Sequence, residues 1–198
     1  LTHGTAVAGI IGASTGNGKG VVGLAPAATI NVYAACRIYD GATRCNTFSL
    51  ALAIEAAIDD GAEVINFSLA GPHDRLLALM LEVAHSRGAI VIAATHPSSD
   101  SLNFPASMDI THAIEAETDR RWFANGERFS TQAGGGYRVF FGSSISAAEM
   151  SSVAALIRSK QSADATDRTI ARLIATESCS ETLRGSDFHQ PLCAASLR

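Results

Sequence analysis

Residues 88–95 read Gly-Ala-Ile-Val-Ile-Ala-Ala-Thr, and 88–94 is an unbroken apolar run. A membrane-spanning helix needs about 20 apolar residues, so this run is too short to cross a bilayer. It suits a strand buried inside a sheet. Working outward from it, helical and extended patterns alternate. Upstream, residues 74–87 predict an amphipathic helix with Leu76, Leu77, Met80, Leu81 and Val83 turned inward. Residues 63–67 predict a strand, 47–60 a helix capped by Thr47, 29–35 a strand and 4–13 a helix rich in small residues. Downstream, residues 112–117 predict a strand, 137–141 an extended arm, 144–158 a small-residue helix and 167–175 a further helix. Such alternation is the pattern of a parallel sheet with crossover helices.

The 198 residues suffice for one domain with a real core. A net charge of -4 without a basic stripe argues against nucleic acid as a partner. No stretch has the length of a membrane span, and no signal peptide opens the chain. Residues 14–19 (STGNGK) form a glycine-rich loop but lack the Gly-Lys-Ser/Thr ending and preceding strand of a phosphate loop. Cys36, Cys45, Cys179 and Cys193 suit two local bridges, Cys36–Cys45 and Cys179–Cys193, in a secreted or extracytoplasmic protein. Four unpaired thiols are the alternative, and four cysteines allow three pairings. No spacing resembles a zinc site.

Two positions carry the chemistry. His3 stands before Gly4 at the start of the first helical run, and Ser144 follows Gly142-Ser143 at the start of another. Taken singly, a histidine there can simply pack and a serine there can simply cap. A helix start nevertheless favours a serine nucleophile, because its free N–H groups and positive dipole stabilise a developing oxyanion. Strand ends of an α/β sheet converge on one edge, so residues distant in sequence can meet there.

HGTAVAGIIGA (3–13), GVVGLAPAA (20–28), VINFSLAGP (64–72), GAIVIAAT (88–95), FPASMD (104–109) and GSSISAAEMSSVAALI (142–157) occur in this order. The series resembles the subtilisin-like serine proteases, the subtilases. The resemblance implies a three-layer α/β/α domain spanning residues 1–198, with a mostly parallel sheet that lacks its N-terminal strand or strands. It implies a serine endopeptidase acting on polypeptide, with Ser144 as nucleophile and His3 as general base. The third member, an aspartate, is expected upstream of Leu1, and a preceding segment or chain would complete the domain. Ser68, Leu69 and Ala70 match the strand that pairs with substrate backbone, and Ala94 and Thr95 match the opposite pocket wall. The resemblance requires no cofactor; a structural calcium near residues 14–19 is common among relatives, but no ligand set is assignable here.

The chain also departs from the family pattern. Pro97 stands where an asparagine usually donates to the oxyanion, and His96 replaces a pocket glycine. Proline offers neither a side-chain donor nor an N–H. Loss of one such donor costs about 10²–10³ in turnover, unless Ser98, Ser99 or Asn103 replaces it. After the serine, the usual Met-Ala-Ala-Pro-His becomes Ile145-Ser146-Ala147-Ala148-Glu149, read as structural changes, and residues 116–131 are shorter than usual. A catalytically impaired pseudoprotease that binds or scaffolds is the rival reading. An α/β-hydrolase esterase is disfavoured because the GxSxG elbow is absent and the histidine precedes the serine.

Overall fold

A computed structural model describes residues 2–95, 103–116 and 127–182. Its centre is a three-stranded parallel sheet made of β3 (Val64–Phe67), β4 (Ile90–Ala94) and β5 (Thr111–Ile114), with β4 in the middle. The register pairs Ile65 with Val91, Phe67 with Ala93, and Ile92 with His112. Every residue of β4 is buried, as its unbroken apolar run predicts. Its side chains alternate between two cores. Val91 and Ala93 join Ile65 and Phe67 against helices α2 (Thr47–Asp59) and α3 (Arg75–Ser86). Ile90, Ile92 and Ala94 pack on Ala147, Met150 and Ala154 of α4 (Ser143–Arg158) and on Ile170 of α5 (Ala163–Thr182). Helices therefore cover both faces, giving a three-layer α/β/α arrangement.

A third core joins Ala6 and Ile10 of α1 (Thr2–Gly12) to Phe140, Ile145 and Ala148. Small residues on both helices let α1 and α4 lie close along their lengths. The extended arm at 137–141 is β7 (Tyr137–Phe141), paired antiparallel with β6 (Glu127–Thr131), a strand the sequence pattern did not single out.

Several expectations need correction. Residues 29–35 make no ladder; the nearby strands are β1 (Cys36–Tyr39) and β2 (Ala42–Cys45), an antiparallel hairpin closed by a Cys36–Cys45 disulfide. The 29–35 stretch is instead tied to the end of α2, because Tyr33 Oη and Asn31 Nδ2 donate to Asp60 at 2.5 and 3.1 Å. The hairpin turn holds Asp40 and Gly41 at φ 51° and 74°. Two successive positive φ values define the tight turn that an Asp-Gly pair favours.

The cap of α2 is Asn46, not Thr47: Asn46 Oδ1 accepts from Ser49 N at 2.8 Å. Thr47 lies inside the helix and donates to Asp74, itself the cap of α3, at 2.5 Å. Asn46→Ala should lower stability by about 1 kcal/mol, measured by urea unfolding, and Thr47→Ala should cost less. On α3 the buried stripe is Leu77, Ala78, Leu81 and Ala84, whereas Leu76 and Val83 are 50% and 44% exposed. The wide apolar pattern concealed which side faces the sheet. The last helix is longer than residues 167–175, starting at Ala163. Cys193 lies outside the described residues, as do residues 96–102.

Candidate active site

The carboxyl ends of β3 and β4 meet the start of α4. Gly142 caps that helix with φ 114°, a conformation that favours glycine, and no side chain closes the helix end. Ile145 N and Ser146 N turn back to Gly142 O at 2.9 and 3.4 Å. The Ser143 and Ser144 N–H groups have no acceptor among the described residues. Together with the helix dipole they leave a donor pair at the mouth of the strands.

Two serines fix this helix end to the sheet. Ser143 Oγ, buried, donates to Thr95 O at 2.6 Å, just past the end of β4. Ser144 Oγ donates to Ser68 O at 3.3 Å, and Ser68 Oγ donates to Ser144 O at 3.0 Å, just past the end of β3. Behind them, Asn66 Nδ2 donates to Ser68 Oγ at 2.9 Å, and Ser151 Oγ donates to Asn66 Oδ1 at 3.0 Å. Sequence reasoning missed the roles of Asn66 and Ser151. The available signal was a single amide inside the apolar strand VINF, since a polar group there needs partners.

His3 lies in the first turn of α1, the helix packed on α4. Its side chain is exposed, yet surrounding protein desolvates the imidazole enough to hold its pKa below the usual value. Desolvation by burial is the leading cause of that shift. His3 has no hydrogen-bond partner among the described residues. The structure thus brings the helices of His3 and Ser144 together, and Ser144 Oγ is turned to Ser68.

Of the residues matched to substrate binding, Ser68, Leu69 and Ala70 are partly buried and lead to Gly71, whose N–H donates to Phe104 O at 2.9 Å. Ala94 and Thr95 are buried, 3% and 8% exposed, and Thr95 N donates to Ile114 O at 2.9 Å. Their backbone end, rather than the Ala94 side chain, borders the site. Of the substitutes considered for the oxyanion donor, only Asn103 lies among the described residues, and its Oδ1 is buried without a hydrogen-bond partner there. The positions of His96, Pro97, Ser98 and Ser99 lie outside them.

For a calcium ion near residues 14–19, the one loop carboxamide, Asn17 Oδ1, already accepts from Lys19 N at 2.9 Å. No group of three or more His, Cys, Asp or Glu side chains suited to a metal occurs among the described residues. No calcium ligand set is assigned among the described residues.

An α/β/α sandwich thus carries an open, serine-bearing helix start at its strand ends. The Subtilase family profile matches residues 1–125, and the chain belongs to that family. It is 32% identical over 174 residues to the thermophilic serine proteinase of Bacillus sp. (strain AK1), covering 80% of this chain and 43% of that one. It is 32% identical over 179 residues to subtilisin amylosacchariticus of Bacillus subtilis subsp. amylosacchariticus, covering 80% and 46%. The chain therefore spans just under half the length of these relatives. Among solved structures, sphericase superposes with a TM-score of 0.70 at 21% identity, over 85% of this chain and 67% of that one, a likeness of fold.

Proposed function

We propose that the protein is a serine endopeptidase in which Ser144 Oγ attacks a peptide carbonyl and His3 takes up its proton. The His3 imidazolium then protonates the leaving amine, and water hydrolyses the acyl-enzyme by the reverse proton path. The observation that carries this reading is the uncapped start of α4. It offers the Ser144 N–H to an oxyanion, beside strand ends able to hold an extended peptide. The packing of α1 on α4 supports His3 as the base. An aspartate from sequence preceding Leu1 would orient the imidazole, giving His3 the partner it lacks among the described residues. The Cys36–Cys45 bridge supports an oxidising, extracytoplasmic setting, and no described helix is long and apolar enough to cross a membrane.

The rival reading, a pseudoprotease that binds polypeptide without cutting it, draws on the turn of Ser144 Oγ toward Ser68 O and on Pro97. The two are separated by incubating the chain, extended by its upstream sequence, with an unstructured polypeptide and a fluorophosphonate. Cleavage together with a label on Ser144 supports the endopeptidase; binding without either supports the rival.

A further inference from the structure

His3 and Ser144 head two separate helices, and the α1–α4 contact is made of Ala6, Ile10, Ile145 and Ala148, with Phe140 beside them. Apolar surfaces of small residues attract without direction, so they set closeness better than height. β6 supplies directional contacts to both helices. Ser130 Oγ, fully buried, donates to Ala6 O at 2.8 Å, and Thr131 Oγ1 donates to Thr5 O at 2.8 Å. These carbonyls lie within one turn of His3. Two residues before Ser130 on the same strand, Arg128 Nε pairs with the Glu149 carboxylate of α4, which is 2% exposed. Glu149 lies five positions beyond Ser144.

The backbone of α1 rests directly on these hydroxyls. A Cβ added at Gly9 would come within 2.8 Å of Ser130 Oγ and still closer to Thr131 Oγ1. The approach is therefore steric as well as hydrogen-bonded, and it requires the small residue. We propose that β6 is a bracket setting the height of His3 relative to Ser144. Ser130 and Thr131 act as positioning residues through α1, and the Arg128–Glu149 pair anchors the bracket to α4. For its catalytic consequence this rests on the endopeptidase reading; for its geometry it does not. Reacting groups misplaced by about 1 Å can lose around 10²-fold in rate.

The test compares wild type with Thr131→Val, Ser130→Ala and Thr131→Ser. Thr131→Val keeps the shape of the side chain and removes the donor, so it guards against a misfolded Ser130→Ala. Two readouts, the His3 imidazole titration by NMR and kcat and KM for peptide, are taken in the chain extended upstream. The bracket predicts that Thr131→Val moves the His3 midpoint away from its wild-type value as α1 lifts and the surroundings of the imidazole change. It also predicts a kcat lower by about 10- to 100-fold, with KM within twofold. Thr131→Ser should restore both. A purely structural role would lower the melting temperature and leave the His3 midpoint and kcat unchanged, and that result overturns the bracket. If wild type cuts no peptide, the endopeptidase reading fails, and the His3 titration still decides the bracket.

Discussion

Ser144→Ala, in the chain extended by its upstream sequence, is expected to lower peptide hydrolysis by at least about 10³-fold while leaving peptide binding intact. The size follows from the role: Ser144 Oγ would form the acyl bond, and no neighbouring group can take its place. Ser143 is the nearest alternative, but it is buried and its hydroxyl is committed to Thr95 O at 2.6 Å. Stability should change little, because the substitution removes one 3.3 Å hydrogen bond to Ser68 O at a partly buried position. Such a bond is worth about 1 kcal/mol net. Equal loss of hydrolysis from Ser143→Ala, with Ser144→Ala active, would mean the nucleophile has been misassigned.

The second large effect is on stability. Leu81 is fully buried between α3 and the sheet. Leu81→Ala should cost about 2–5 kcal/mol, since the lost transfer energy is joined by the cavity left behind. Val83, two residues on and 44% exposed, should cost within about 0.5 kcal/mol when changed to alanine. Chemical denaturation of both variants measures the difference. Equal losses would mean that α3 presents the wider face expected from sequence, with Leu76 and Val83 inward.

That contrast shows where the sequence was legible. The unbroken run of β4 marked a strand buried on both faces, because no polar residue interrupts it and helices must then cover it twice. The local pairing of Cys36 with Cys45 was readable from spacing, and the Asp40-Gly41 dipeptide could have revealed the hairpin between them. The strand pattern of residues 29–35 misled, since extended sequence becomes a strand only when a neighbour supplies a ladder; here Tyr33 and Asn31 are held by Asp60 instead. β6 went unread because its polar face, Arg128 and Ser130, looks like a solvated edge until its partners on α1 and α4 are known. Glu149, read only as one of the structural changes after the serine, is a buried partner of Arg128.

The site was legible in part for the same reason. Ser144 at a helix start and the strand ends at Ser68 and Thr95 follow from the order of motifs; Ser144 Oγ donates to Ser68 O, and its neighbour Ser143 Oγ donates to Thr95 O. The supporting chain from Ser151 through Asn66 to Ser68 spans helix and strand, and no local pattern encodes it.

The proposed pairing makes His3 and Ser144 one unit at the head of two packed helices. Its most direct measurement is a crystal structure of the upstream-extended chain after reaction with a peptidyl phosphonate. The account predicts phosphorus bonded to Ser144 Oγ, the phosphonyl oxygen facing the Ser144 N–H, and the His3 imidazole hydrogen-bonded at the adduct. A phosphonate on another residue, or His3 directed away from a Ser144 adduct, would contradict it.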